Sequence, residues 1–254
     1  MTRSLSGSLE QSLAPAPFRP PHAPGRPRLS IIIPTLNEED HLPCTLRALA
    51  AGLAPEDCEV IIADGGSADT TLGIARRHGC RTVLSSPGRA RQLNAGATVA
   101  RGDYFWFLHA DTLPPADYRE QLNEVMRTRG CACFQLRFDH ATPHRLLDFF
   151  GRSSANPTLH FRFGDQSLLV PAERFRAYGG YADIPLLEGH ELVRRIYRGG
   201  EDFRVLPGPV RTSARRYLQY GVVYTQTAFV LFYLSYRCGV SPKRIAQWYR
   251  RAFR

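Results

Sequence analysis

The chain has 254 residues, 43% apolar and 22% charged, a composition that can bury a core and excludes a fully disordered chain. No apolar run reaches the ~18 residues of a membrane-spanning helix, and no apolar stretch of a secretory signal opens the chain. The net charge of +10 is a C-terminal property: residues 194–254 hold thirteen Lys and Arg against two acids. That excess suits nucleic acid, phosphates or an anionic membrane.

Residues 1–28 are rich in Pro, lack periodicity and read as a disordered tail. A domain is expected over 29–216 and a helical, basic segment over 217–254, packed on the domain or on a membrane surface. Leu29 to Pro34 is a short continuous apolar run, as in a strand buried on both faces. Leu42, Leu46, Leu49 and Leu53 then recur at helical spacing. Glu59 to Ala63 predicts a second strand and Asp69 to His78 a helix ended by Gly79. Arg81 to Leu84 is a third strand, Ala90 to Ala100 a helix, Tyr104 to Leu108 a fourth strand and Ala116 to Arg129 a helix. Further on, Cys131 to Phe138 and Ser167 to Val170 read as strands. Residues 144–154, 190–198, 217–236 and 241–253 read as helices. The alternation implies an α/β fold with a mostly parallel sheet and helices on both faces, plus C-terminal helices. Ligands of such sheets bind beyond the carboxyl ends of the strands.

Four strand ends carry the chemistry. Pro34 closes the first strand and Thr35, Asn37, Glu38 and Glu39 follow; as plain structure, Asn37 is a helix N-cap. Asp64-Gly65-Gly66 follows the second strand, where a carboxylate suits a ribose or base contact; its plain reading is a turn capped by Asp69. Gly88 precedes Arg89 and Arg91 in a first helical turn. Cations there oppose the helix dipole, so capping does not explain them and a bound diphosphate does. His109 and Asp111 follow a deeply apolar strand, and a carboxylate there can hold a divalent metal, Mn2+ or Mg2+. Its plain reading is a cap of the next helix. Together the four ends describe a nucleoside-diphosphate site. There is neither a G-x-x-x-x-G-K-[ST] loop nor a G-x-G-x-x-G fingerprint.

Ile31-Ile32-Ile33-Pro34-Thr35-Leu36-Asn37-Glu38-Glu39 and Asp64-Gly65-Gly66-Ser67-Ala68-Asp69-Thr70 resemble the openings of family-2 inverting glycosyltransferases. Gly88 to Ala97, with Asn94 among them, and Phe107-Leu108-His109-Ala110-Asp111-Thr112 are similar to the small bacterial subfamily associated with radical-SAM/selenodomain proteins. Gly164-Asp165-Gln166, Gly179-Gly180, Pro185 to Glu188 and Ser213 to Tyr217 extend the likeness over roughly 29–250. The resemblance implies a GT-A (Rossmann-like) fold and a nucleotide-sugar donor, most often a UDP-sugar. It implies nucleoside contacts at Thr35, Glu38 and Asp64, phosphate contact at Arg89, and a metal at Asp111 in the motif His109-Ala110-Asp111. Asp165 and Gln166 would border the donor sugar or acceptor, and Arg215 and Arg216 would close over the diphosphate.

One departure matters. The subfamily's Glu-Asp pair, which supplies the catalytic base, reads Glu188-Gly189 here. An inverting transfer needs a base for the acceptor hydroxyl. Glu188 is the first choice, with His190 and Glu191 beside it. The alternative is a protein that binds nucleotide-sugar with weak or no transfer. A sugar-nucleotidyltransferase is disfavoured by the acidic loop after the first strand. A nucleic-acid binder is disfavoured because no such motif accompanies the basic segment. Helix 241–253, with Ile245, Trp248 and Tyr249 near one side, is expected to lie on an anionic membrane at the inner face of a cytoplasmic enzyme, where a lipid-linked acceptor would be met. The six cysteines, none in C-x-x-C, are expected to be free thiols.

Overall fold

The structure, a computed structural model, describes residues 27–52, 58–139, 145–156, 164–201 and 203–254. In chain order the elements are β1 (Leu29–Thr35), α1 (Leu42–Gly52), β2 (Cys58–Asp64), α2 (Thr71–Arg77), β3 (Arg81–Leu84), α3 (Arg89–Val99), β4 (Tyr104–Phe107) and β5 (Thr112–Leu113). There follow α4 (Tyr118–Arg127), β6 (Cys131–Asp139), α5 (Arg145–Ser153), a 3-10 turn (Gly164–Gln166), β7 (Leu169–Pro171), α6 (Ala172–Ala177) and α7 (Glu188–Arg198). The chain ends in β8 (Phe203–Ser213), α8 (Arg215–Tyr220), α9 (Val222–Arg237) and α10 (Pro242–Ala252).

One sheet runs in the order β3-β2-β1-β4-β7-β6-β8-β5. β3, β2, β1 and β4 are parallel, as expected. Beyond β4 the sheet is mixed: β7 is antiparallel to β4 and β6, β8 is parallel to β6, and β5 is antiparallel to β8. Alternate residues leave the sheet on opposite faces. Ile31, Ile33, Tyr104 and Trp106 join Leu42, Leu46, Leu49, Ile74, Tyr118 and Leu122 on one side. Ile32, Phe105 and Phe107 join Leu93, Phe175, Leu192 and Ile196 on the other. Helices therefore cover both faces. The three Ile of β1 are fully buried, each stabilising the fold by roughly 2 kcal/mol.

The expected tail lies outside the described residues as far as residue 26. Its last two residues are part of the domain: Pro27 is buried and the Arg28 carbonyl accepts from the Tyr104 amide. Leu53, expected in α1, also lies outside the described residues. The long strand β8 was not expected; its two prolines, Pro207 and Pro209, are accommodated where the β6–β8 register shifts between Phe134 and Gln135. Residues 217–236, expected as one helix, are two, because Gly221 takes a left-handed φ of 86° between α8 and α9. α10 is not a free interfacial helix. Ile245 and Ala246 are buried, and the rings of Tyr249 and Phe253 pack tilted and edge-on against Phe232 of α9. None of the six cysteines is in a disulfide.

Candidate functional site

The parallel register sets the first contact. Thr35 and Asp64 are partners at the adjoining ends of β1 and β2, and Thr35 Oγ1 donates to Asp64 Oδ1 at 2.9 Å. Asp64 also accepts from the Gly66 amide (2.9 Å), the Ser67 amide (2.8 Å) and the Ser67 hydroxyl (2.5 Å). Burial pushes this carboxyl up, but the bonds from Ser67, Thr35 and Gly66 outweigh it and hold Asp64 below its ordinary value. Gln92 of α3 locks the same corner, donating to the carbonyls of Thr35 (2.6 Å) and Ala63 (3.0 Å). A Cβ on Gly65 would stand 3.1 Å from that amide group, which is why glycine follows Asp64. Asn37 is not an N-cap. It sits at φ 54° and joins the two loops, its amide donating to Ser67 Oγ and its Oδ1 accepting from Ala68. Pro34 is half-buried within β1 and closes no ladder early.

A second group forms around Arg215. Its Nη2 lies 3.6 Å from Glu38 Oε1 and 3.7 Å from Asp111 Oδ2. Burial raises Glu38, Arg215 lowers it, and the neighbouring Asp111 raises it. Glu38 Oε2 is buried without a hydrogen-bond partner among the described residues. Two carboxylates thus already converge on one positive group, a donor set that fits a hard divalent cation. Among the described residues no three His, Cys, Asp or Glu are grouped to hold a metal. An ion at Asp111 would complete its shell with phosphate oxygens and water. β4 ends at Phe107, and His109-Ala110-Asp111-Thr112 is a turn closed by the Thr112 amide on the His109 carbonyl. His109 and Asp111 therefore lie in the turn beyond the strand. Burial pushes the His109 imidazole down to about 4, and the Arg89 charge adds to this, so the ring is neutral at pH 7.

The third group joins α3 to α7. Gly88 takes φ 137°, a conformation that favours glycine, and starts α3. Arg89 Nη1 then meets Glu188 Oε1 at 3.2 Å, with Glu188 buried and Arg89 half exposed. Leu187, just before Glu188, is held at φ 66°, a strained conformation of the kind that gathers at functional sites. The other two residues considered as bases face elsewhere. His190 packs edge-on against Tyr233 and Tyr236 of α9. Glu191 binds Arg195 through both oxygens, and Arg195 donates onward to the carbonyls of Tyr178 and Gly180.

Three more expected ligands are braces. Asn94 bonds both the amide and the carbonyl of Tyr181. Gln166 is buried and donates to the carbonyls of Phe134 (3.1 Å) and Ser154 (3.2 Å). Arg216 lies over the rings of Phe229, Tyr249 and Phe253, apart from the Glu38–Asp111 pair that Arg215 bridges. Asp165 differs: its Oδ1 is buried without a partner among the described residues, and burial raises the carboxyl to about 6. The sequence reading missed Ser67 and Gln92. Gln92 lies one helical turn from Arg89, a spacing that marks it for the same face.

A family model, glycosyl transferase family 2, matches residues 30–178. The chain is 30% identical over 191 residues to the succinoglycan biosynthesis protein ExoA of Rhizobium meliloti, covering 67% of this chain and 58% of that protein. It is 32% identical over 126 residues to the validoxylamine A glucosyltransferase of Streptomyces hygroscopicus, covering 46% of this chain and 27% of the relative. The chain thus spans less than two thirds of these relatives. Among solved structures, TarS of S. aureus in complex with UDP-GlcNAc matches with a TM-score of 0.61 and 14% identity, over 73% of this chain and 58% of that one. The mannosyltransferase PcManGT of Pyrobaculum calidifontis, in complex with GDP-Man and Mn2+, matches with a TM-score of 0.60 and 23% identity, over 91% and 69%. These neighbours share the GT-A type of fold. The chain belongs to glycosyl transferase family 2.

Proposed function

We propose that this chain moves a sugar from a nucleoside-diphosphate donor, a UDP-sugar first, to a hydroxyl acceptor with inversion. The observation that carries this is the convergence at one rim of the buried Thr35–Asp64 pair, the Glu38–Asp111–Arg215 cluster and the Arg89–Glu188 pair. Asp64, held ionised by four hydrogen bonds, fixes the Thr35 and Ser67 ends of the loops that border the nucleoside. Arg89 and Arg215 face the diphosphate, and Arg215 leaves its carboxylate partners to do so. Asp111 would hold a divalent ion, Mn2+ or Mg2+, which when bound neutralises the leaving diphosphate. His109 stays uncharged beside it and adds no repulsion to Arg89. The neighbours bound to UDP-GlcNAc and to GDP-Man with Mn2+ support this reading.

The acceptor we propose is lipid-linked and met at an anionic membrane surface. Among the described residues no helix is long and apolar enough to cross a membrane. α9 instead exposes Val223, Val230, Leu231 and Leu234, one stripe at helical spacing, within the basic C-terminal segment. Gly189 favours a second reading, a binding protein with little transfer.

A thermal-shift panel with UDP, GDP, CDP and dTDP, each with and without Mn2+, tests the donor site. One nucleotide is expected to raise the unfolding temperature by several degrees in the presence of Mn2+, as ~2.7 kcal/mol of stabilisation at 100 times Kd would. Asp111→Ala is expected to abolish the Mn2+-dependent part. No shift with any nucleotide would overturn the reading.

A further inference from the structure

The aspartate that the family resemblance leads one to seek at position 189 is missing, and the residues beside it on α7 have partners of their own. Glu188 has one oxygen on Arg89 at 3.2 Å. His190 faces two tyrosines of α9, and Glu191 is spent on Arg195. Asp64 is saturated by four hydrogen bonds. Glu38 and Asp111 share Arg215.

The 3-10 turn Gly164–Gln166 borders Gly189. A Cβ built on Gly164 would stand 3.8 Å from His109 Nε2 and 4.0 Å from the Gly189 Cα. The turn, α7 and the His109 loop are thus neighbours around this point. The turn is fixed: Gln166 is pinned to the carbonyls of Phe134 and Ser154, and the Ser167 amide returns to the Gly164 carbonyl at 3.2 Å. Its middle residue, Asp165, carries a buried oxygen with no hydrogen-bond partner among the described residues. An unsatisfied buried carboxylate oxygen is costly unless a ligand's donor completes it.

Building on the glycosyl-transfer reading above, we propose that Asp165 is the proton acceptor of the transfer, in place of the aspartate that Gly189 lacks. The acceptor hydroxyl gives its proton to Asp165 Oδ1 as its oxygen bonds to the anomeric carbon. The bond from that carbon to the diphosphate breaks, and its electron pair leaves with the nucleoside diphosphate. The charged and titratable groups that act on Asp165 or on its neighbours here are Arg89 of α3, His109 and Asp111 of the β4 loop, Glu188 of α7 and Tyr217 of α8. Burial raises the Asp165 carboxyl to about 6, opposed by Arg89, so it is ionised at pH 7 yet a better base than an ordinary aspartate.

The test measures release of nucleoside diphosphate to water from the sugar nucleotides of whichever nucleotide the thermal-shift panel selects. Asp165→Asn, nearly isosteric at an oxygen that makes no hydrogen bond, is expected to lower turnover by about 100-fold or more. Its donor Kd is expected to stay within about threefold of wild type, about 0.7 kcal/mol. Adding Gly189→Asp to that variant is expected to restore turnover by tenfold or more. Wild-type turnover in Asp165→Asn would overturn the proposal. So would loss of donor binding along with turnover, or a Glu188→Gln variant that alone loses turnover while still binding donor. A wild type that binds donor and releases none, but gains turnover with Gly189→Asp, would overturn it and leave the donor site standing. Failure of the donor reading is distinct, because wild type would then bind no nucleotide.

Discussion

Asp64 concentrates the physics of the site in one side chain. It is buried, ionised and surrounded by four donors, so it is a structural post of the site. Asp64→Ala would orphan the hydroxyls of Thr35 and Ser67 and two amides, at a cost of roughly 3 kcal/mol seen in urea denaturation. Because its folded pKa lies below the unfolded value, its contribution is present above about pH 4 and fades as pH falls further. The excess instability of Asp64→Ala over wild type should therefore shrink in acid. Excess instability that stays constant with pH down to 3 would contradict this account. Asp165 is the opposite case: its carboxyl is raised where Asp64's is lowered, and pairs of acids pushed apart in this way mark divided roles.

At the scale of elements, the C-terminal helices divide their labour. α10 buries its apolar side on α9, and Arg216 is boxed by aromatic rings between them, so a free interfacial face has to be sought on α9. Val230→Asp with Leu231→Asp alters two exposed residues, 46% and 57% accessible, and leaves the core untouched. The pair should abolish co-sedimentation with phosphatidylglycerol vesicles and leave nucleotide binding unchanged. Co-sedimentation equal to wild type would sink the membrane reading. The elements that sequence made legible were those with unmixed signals. β1, β2 and β4 are apolar on both faces, and Arg81–Leu84 has the bounds that its pattern predicts. β8 was hidden by its own prolines, and α6 by its shortness. The four strand-end residues Thr35, Asp64, Arg89 and Asp111 could be read because a parallel sheet brings such positions to one rim. Asn37, Asn94, Gln166, His190 and Glu191 stand at motif positions too, but their hydrogen bonds and ring contacts depend on long-range packing that no local pattern encodes.

For the whole molecule, the sheet is a platform with two kinds of neighbour. Its parallel half brings its strand ends to one rim, and its mixed half carries the 3-10 turn and β8, which leads through Ser213 to Arg215. Arg215 ties the C-terminal segment to Glu38 and Asp111, so the basic end of the chain meets the first and fourth strand ends directly. The central claim is that a nucleoside diphosphate and a divalent ion bind at this rim. The most direct measurement is a crystal structure with Mn2+ and the nucleotide that stabilises the protein most, with anomalous scattering used to locate the manganese. The account predicts a manganese peak within bonding distance of Asp111 and of a phosphate oxygen, the nucleoside against Thr35 and Asp64, and Arg215 moved from Glu38. A nucleotide bound elsewhere, or a manganese with no contact to Asp111, would contradict it.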